Sequence, residues 1–429
     1  MSTSGDVSIP IEETPLAAVT VVVDRKGPVI FTVLTAALAL IVAFAAQSGD
    51  TTFRLAAASD FAELPRVTVP STGTTWLLVA VCALLSAGAI LLYRRGRPTP
   101  LGLVVAFATV WMVGFLTWAA AGGTLPVVGL LGGGLALAVP LVFGAMGGVL
   151  GERAGVVNIA IDGQLLAGAF AAAMIGSLVG STWAGLAAAM VAGVLVAMAL
   201  GVFAINYLVE QVIVGVVLNV LVIGLTSFMF SQVLAPNAAT LNAPPRFSSL
   251  PVPVLGEIPL IGPIFFRQTI IVYLLYATVG VVAWALYRTR WGLRVRAVGE
   301  HPKAADTVGI KVNRTRFRTL MLAGAITGVG GAFYTLVSVP QFNREMTGGA
   351  GYIALAAVIF GKWDPIRATL AALLFGFASN LQGVLSVIGS PVPSQFMLML
   401  PYVVTIFAVA GLVGRSRPPA ADGIPYVKG

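Results

Sequence analysis

The sequence has almost no residues for redox or metal chemistry. Its 429 residues include one cysteine, Cys82, and one histidine, His301. A disulfide needs two cysteines and a structural metal site needs several ligands, so the chain alone predicts no disulfide, metal site or cofactor. Charged residues are also scarce, at 10% against about a quarter in an ordinary soluble domain. This scarcity excludes an ordinary soluble fold.

Apolar residues make up 58% of the chain. Most of them lie in segments that reach the length of about 20 residues needed by a helix to cross the hydrocarbon core of a bilayer. The pattern predicts an all-α polytopic integral membrane protein. Twelve segments are expected to cross, the tenth of them short: 28–47, 74–93, 101–121, 128–150, 164–181, 182–205, 211–234, 268–287, 317–340, 349–360, 367–388 and 395–413.

Basic residues are sorted between the loops that join these segments. If all twelve cross and the chain starts inside, 20 of the 25 lysines and arginines lie in cytoplasmic loops or tails, nine of them within 288–318. The positive-inside rule therefore predicts cytoplasmic N- and C-termini. Nucleic-acid binding is not expected, because the positive charge is not gathered on one soluble face.

Two polar stretches with glycines, 151–164 and 341–351, interrupt the apolar pattern. A bilayer tolerates such backbone only where it faces protein or a water-filled cavity, so both are candidate parts of a solute path. Each follows a long apolar segment and precedes three further crossings, and the two sets run in opposite directions. This order predicts an inverted-topology repeat with interrupted helices.

Asp162 is the acidic residue of the first interruption beside the apolar run. A carboxylate at that position is costly, and two roles stay open: it lines or gates the path, or it caps the helix that starts near Gln164. The neighbouring glycines allow tight turns, although glycines also let membrane helices pack closely. The residues expected along the path are Asn158, Asp162, Gly163, Asn343, Gly349, Gly351 and Tyr352.

The most highly charged part of the chain, residues 288–318, contains the pattern of a short helix at 299–310. Pro302 suits its first turn and Gly309 can end it. Contact with anionic lipid would account for the flanking arginines, but a compact capped helix favours a protein partner. Its apolar strip would consist of Ala304, Ala305 and Val308.

Three stretches, 155–170, 297–310 and 352–361, resemble the permease subunits of ATP-binding-cassette (ABC) importers for branched-chain amino acids, simple sugars and nucleosides. The resemblance is closest to the nucleoside-type permeases of the simple-sugar group. It implies a ten-helix type II importer core with an interrupted second core helix and a coupling helix between core helices six and seven. The family commonly carries glutamate and glycine where this chain has Asp162 and Ala160.

The resemblance covers residues 101–414, and it divides the chain into four regions. A cytoplasmic tail at 1–27 precedes two additional helices and an outer loop at 28–100; the permease domain at 101–414 precedes a second cytoplasmic tail at 415–429. Residues of the implied coupling helix that would receive the push of an ATPase are Glu300, His301, Pro302, Lys303, Ala304, Asp306, Gly309 and Ile310.

The resemblance also implies a non-catalytic subunit, in a bacterial plasma membrane, that forms half of the path for a small polar solute. A nucleoside or simple sugar is favoured, with a branched-chain amino acid as the alternative. The implied partners are ABC ATPase subunits, a second permease that is a copy or a relative, and an extracytoplasmic binding protein. The chain itself lacks an ATP-binding phosphate loop, because Gly361 and Lys362 are followed by Trp363 rather than serine or threonine.

A secondary transporter driven by an ion gradient is the rival from another class, since it also uses inverted repeats and broken helices. Such a transporter needs ionisable residues in the middle of the membrane. The candidates Asp162, Glu210 and Glu345 all lie near the ends of predicted segments. A membrane scaffold without transport would leave the paired interruptions unexplained, so the importer subunit is preferred.

Overall fold

The computed structural model describes residues 25–56, 64–390, 392, 395–396, 399 and 417–428. Within these residues ten helices are long and apolar enough to cross a membrane, and one apolar helix is shorter. The predicted tail at 1–27 and the last predicted segment at 395–413 lie almost entirely outside the described residues. The α-helices are α1 (Lys26–Phe44), α2 (Ser71–Arg94), α3 (Leu101–Ala119), α4 (Val127–Arg153), α5 (Ile161–Val179), α6 (Thr182–Gly201), α7 (Gln211–Met229), α8 (Ala238–Leu241), α9 (Ile270–Arg288), α10 (Arg290–Glu300), α11 (Pro302–Thr307), α12 (Val312–Phe333), α13 (Ala350–Phe360) and α14 (Pro365–Ile388).

Short strands and π-helical turns lie between and at the ends of these helices. Three strands form a sheet in the order β2, β1, β3, and β4 pairs antiparallel with β5. The strands are β1 (Asp50–Arg54), β2 (Val67–Pro70), β3 (Thr124–Pro126), β4 (Ser249–Pro251) and β5 (Arg267–Thr269). The π-helical turns are Val202–Asn206, Phe230–Leu234, Gly262–Phe266 and Tyr334–Ser338.

The chain divides into two compact units, of which the first holds α1, α2 and α3 within residues 1–49 and 70–118. The rings of Phe31 and Phe107 stack with centroids 4.0 Å apart, and the indole N–H of Trp111 donates to the carbonyl oxygen of Leu34 at 2.9 Å. Aromatic rings bury a large apolar surface, so these contacts hold α3 against α1.

The second unit spans residues 50–69 and 119–429 and contains the other helices. Its central helices approach closely through glycines. A Cβ at Gly324 would lie 2.4 Å from the carbonyl oxygen of Gly193, and one at Gly168 would lie 2.7 Å from that of Gly328. Because no side chain separates the backbones, α12 packs directly on both α5 and α6.

Both predicted interruptions are breaks in the helices. The first break is residues 154–160, between α4 and α5, and the second is residues 339–349, between the π-helical end of α12 and α13. Helix α13 has 11 residues and is about 16 Å long, roughly half of the hydrocarbon core. Helix α13 alone is therefore too short to cross, and the predicted segment 349–360 is a half-length helix that follows the break.

Candidate functional site

The N-termini of α5 and α13 lie side by side against the middle of α4. A Cβ at Gly144 would be 2.9 Å from the Ala354 side chain and 3.0 Å from that of Ile161. Gly144 precedes the last residue of α4, Arg153, by nine positions, so the start of α5 lies about 14 Å from that end of α4, level with Ala354, the fifth residue of α13. The unpaired first-turn N–H groups of two helices therefore meet inside the bundle.

Asp162 joins these two helix starts. It lies in the first turn of α5 and is 3% exposed. Its Oδ1 accepts a hydrogen bond from the Gly351 N–H at 3.0 Å, and its Oδ2 accepts one from the Thr347 hydroxyl at 3.4 Å. The carboxylate therefore caps α13. The alternative that Asp162 caps its own helix is wrong, since α5 begins at Ile161 and no contact of that kind occurs among the hydrogen bonds of the described residues.

Gly351 permits this contact because it has no side chain. A Cβ there would lie 2.2 Å from the backbone nitrogen of Asp162 and 2.4 Å from its Cα. The preceding Gly349 has φ of 79°, in the left-handed region that glycine adopts without strain. These two glycines turn the chain into α13 and let the two helix starts touch.

Asn219 in the middle of α7 completes the junction, and the sequence analysis missed it. Its Oδ1 accepts from the Gly163 N–H at 2.7 Å, and its Nδ2 donates to the Ile159 carbonyl oxygen at 2.9 Å and to the Tyr352 hydroxyl at 3.1 Å. The amide thereby caps α5, which explains why that helix starts three residues before its predicted position. A buried asparagine within the apolar run 212–225 was the available signal.

Asn158 and Gln164 close the first break from within. Both side chains are fully buried, and their amides exchange two hydrogen bonds of 3.3 and 3.2 Å. Together with the residues above they form a central polar cluster, of which Tyr352 alone is markedly exposed, at 47%. We define the central polar cluster as Asn158, Asp162, Gln164, Asn219, Thr347 and Tyr352.

Not every residue that we expected along the path belongs to this cluster. Gly163, Gly349 and Gly351 provide its backbone donors and turns. Asn343 is exposed in the second break, whereas its neighbour Phe342 is buried and bonded through its N–H to Asn242 at 2.7 Å. Among the hydrogen bonds of the described residues, none joins Asn343 to the cluster.

The basic segment contains two helices rather than one. Helix α10 ends at Glu300 and the six-residue α11 starts at Pro302 and is followed by Gly309, whose φ is 84°. Of the predicted apolar strip, only Ala305 is buried; Ala304 is exposed and Val308 is 76% exposed. Ala305 therefore packs within the chain, while Ala304 and Val308 are exposed, as a strip that faces a partner would be.

A basic groove of about 700 Å³ lies beside α11. Its lining includes apolar side chains such as Trp291 and Val308, and none of the described residues that line it is acidic. Five positive charges around one cavity favour an anionic or acidic partner. The basic residues of the groove are Arg290, Arg294, Lys311, Arg314 and Arg318.

The end of α4 connects this region to α13. The indole N–H of Trp363, just beyond α13, donates to the buried Glu152 carboxylate, while the Arg153 Nε donates to the Trp363 carbonyl oxygen at 2.9 Å. Arg153 also approaches Glu300 at the end of α10, at 4.0 Å. Helix α13 is thus tied at its start to α5 and at its end to α4.

The chain has apolar helices of spanning length and two breaks, and the helices that follow the breaks, α5 and α13, have their N-termini buried against each other. These features define a polytopic membrane protein with the architecture of a transport subunit. The chain belongs to the family described as Branched-chain amino acid transport system / permease component, which it matches over residues 130–409.

Several curated relatives are ABC transporter permeases. The guanosine ABC transporter permease protein NupQ of Bacillus subtilis is 40% identical over 308 residues, which are 69% of this chain and 95% of the relative. The nucleoside ABC transporter permease protein NupC of Lactococcus lactis is 38% identical over 309 residues, or 68% and 95%. The glucose ABC transporter permease protein TsgB13 of Haloferax volcanii is 28% identical over 251 residues, or 56% and 66%. No solved structure matches the chain significantly.

Proposed function

We propose that this permease carries a nucleoside and forms half of the path through an ABC importer. The observation that carries the proposal is the position of Tyr352: a half-exposed ring whose hydroxyl is held by the buried Asn219 at 3.1 Å. The hydroxyl accepts from Asn219 and can still donate, while the ring offers an aromatic face. A nucleobase can stack on such a ring and accept from such a hydroxyl.

The charge of the cluster supports a neutral solute. Asp162 is its one carboxylate, and it is buried with both oxygens in hydrogen bonds to Gly351 and Thr347. No charged side chain of the cluster is therefore free to pair with the ammonium or carboxylate of an amino acid, which disfavours a branched-chain amino acid. A simple sugar is the second candidate, because a hydroxyl-rich solute also suits Tyr352 and a relative is named for glucose.

The energy for transport comes, in this proposal, from separate ATPase subunits that bind the basic groove and α11. The chain would be a non-catalytic subunit with its N- and C-termini and α11 in the cytoplasm. A second permease would complete the path and a binding protein would deliver the solute from outside. The names of the relatives as ABC transporter permeases and the single-signed charge of the groove support this assignment.

Uptake by the reconstituted complex tests the proposal. The permease, its ATPase subunits and its binding protein are placed in liposomes, and uptake of guanosine, uridine, glucose and leucine is measured with and without ATP. We expect ATP-dependent uptake of a nucleoside. Uptake that follows a proton or sodium gradient without ATP would overturn the importer assignment. ATP-dependent uptake of leucine alone would overturn the assignment of a nucleoside as the solute.

The coupling assignment has a separate test in the acidic residues of the basic segment. Replacing Glu300 or Asp306 with arginine should lower uptake per ATP hydrolysed, because the negative charge at that position of the contact surface is reversed while the spanning helices are untouched. Glu257→Arg is the matched control, since Glu257 is exposed in the distant segment between α8 and α9. Normal coupled uptake in both α10–α11 variants would remove the coupling role from this region.

A further inference from the structure

The C-terminal residues 418–426, which we name the strap, pack on the end of α10. The N–H of Ala421 donates to the carbonyl oxygen of Gly299 at 2.8 Å, and the N–H of Ala420 donates to the Glu300 carboxylate at 3.1 Å. Gly299 has no room for a side chain, because a Cβ would lie 2.2 Å from the Arg153 carbonyl oxygen. The strap therefore docks where α10 meets the end of α4.

Arg316 of α12 fixes the strap from the other side. The side chain is 2% exposed, and its guanidinium donates to the carbonyl oxygens of Ile424 at 2.9 Å and Ala421 at 3.3 Å. A Cβ at Gly155 would lie 2.7 Å from the same guanidinium. One buried arginine thus contacts both the strap and the break between α4 and α5.

Tyr426 anchors the end of the strap in an apolar cluster. Its side chain is 8% exposed and packs with Val298 of α10, Ala305 of α11 and Val312 of α12. Ala305 is the buried residue of α11, so the strap holds α11 through its inward face. The next residue, Val427, is 65% exposed and contributes little to this packing.

The strap reaches the first break directly as well. Gly423 has φ of 73°, and a Cβ there would be 3.3 Å from a methyl carbon of Val157. Residues 154–160 lead into the first turn of α5, which holds Asp162. The same nine-residue segment therefore touches α11 at one end and the break that precedes the central polar cluster at the other.

We propose that the strap is a positioning element that transmits displacement of α11 to the break between α4 and α5. This inference rests on the proposed function, in which an ATPase moves α11. Helix α10 also meets the backbone of Arg153 directly at Gly299. The side-chain link between Arg153 and Glu300 spans 4.0 Å with Glu300 47% exposed, so it transmits little force. The strap instead uses the buried contacts of Arg316 and Tyr426, which move as packed units.

Tyr426→Ala tests the strap against the matched variant Val427→Ala in the reconstituted complex. Loss of the buried ring should speed hydrogen–deuterium exchange of the Ala421 amide by roughly tenfold or more, because most of the apolar contact is lost. The ATP hydrolysed per nucleoside taken up should rise severalfold, while insertion and assembly with the ATPase are retained. Val427→Ala should leave both quantities unchanged.

A pair of truncations provides a second measurement that does not depend on one side chain. A chain that stops after Arg417 lacks the strap, and the control stops after Val427 and keeps it. The first should hydrolyse ATP without proportionate uptake, and the second should be coupled normally. Normal coupling in the chain without the strap would overturn the inference.

Two results together would assign the strap a structural role only. The chain that stops after Arg417 would fail to assemble, and Tyr426→Ala would keep normal coupling although its Ala421 amide exchanges faster. Absence of ATP-driven uptake by the unmodified complex would instead contradict the proposed function. The two failures are therefore distinguishable.

Discussion

Gly351→Ala is the most direct test of the contact between the two helix starts. The added Cβ would lie 2.2 Å from the backbone nitrogen of Asp162 and 2.4 Å from its Cα. Ordinary contacts between such atoms need about 3.5 Å, so α13 must retreat from α5 by about 1 Å. Both atoms belong to the backbone of a buried helix, so no flexible side chain can swing away to make room.

The cost has two parts. Forcing one methyl group into a packed interior costs about 1–3 kcal/mol, and separating Gly351 from Asp162 weakens a hydrogen bond to a charged group that is worth about 1.5–3 kcal/mol. The variant should therefore be destabilised by about 3–5 kcal/mol. That is a large fraction of the roughly 5–15 kcal/mol that stabilises a typical folded protein.

Thermal unfolding of the purified permease in detergent measures the loss of stability, and uptake by the reconstituted complex measures the effect on the path. Gly383→Ala is the matched control, because Gly383 lies on α14 and a Cβ there would have no atom within 4 Å. A Gly351→Ala variant with the melting temperature and uptake of the unmodified protein would refute the described junction.

Three further changes probe the cluster and the strap. Asp162→Ala should lower stability by about 1–3 kcal/mol in thermal unfolding, because the Gly351 donor loses its acceptor, whereas Asp162→Asn keeps one acceptor and should lose less; equal losses would argue against capping. Asn219→Leu should lower the melting temperature, because Gly163 and Ile159 lose their partner, and should also weaken the apparent affinity for nucleoside, because the hydrogen bond to Tyr352 is lost; an unchanged apparent affinity for the solute would contradict that role. Burial raises the pKa of Asp422 to about 7, although Arg316 opposes the shift, and the buried Glu152 also faces it. The docked strap therefore binds a proton that the free strap releases above about pH 4, so docking should tighten as the pH falls from 8 to 6. Hydrogen exchange of the strap, corrected for intrinsic rates, measures this, and Asp422→Asn should show a flatter response.

The breaks in the helices were predictable because their signal lies in neighbouring residues of the sequence. Polar residues and glycines between long apolar segments are costly in a bilayer, so the stretches containing Asp162 and Gly351 stand out without any structure. The pairing of Asp162 with Gly351 does not stand out, since the two residues lie 189 positions apart. A long-range cap leaves no local signature, so the sequence alone suggests that Asp162 caps the nearer helix.

The strap escaped prediction for a different reason. Its sequence, rich in proline and alanine, has neither helical nor strand periodicity, and Tyr426 is its one large aromatic residue. Arg316 fixes the strap. From the sequence it is one more basic residue of the basic segment, and only its burial distinguishes it. Charge counting assigns such a residue to the membrane surface, whereas the structure uses it as a buried donor to backbone carbonyls.

The attachments of α13 limit which parts of the bundle can move separately. Its first turn is bonded to Asp162 of α5, and the residue beyond its end, Trp363, is bonded to Glu152 and Arg153 of α4. Both ends are therefore held by the two helices that flank the first break, so α4, α5 and α13 should move as one packed body. Because the strap contacts that break, a displacement of α11 would reach both buried helix starts together. Helix α7 is tied to the same body, because Asn219 is bonded to Ile159 and Gly163 as well as to Tyr352.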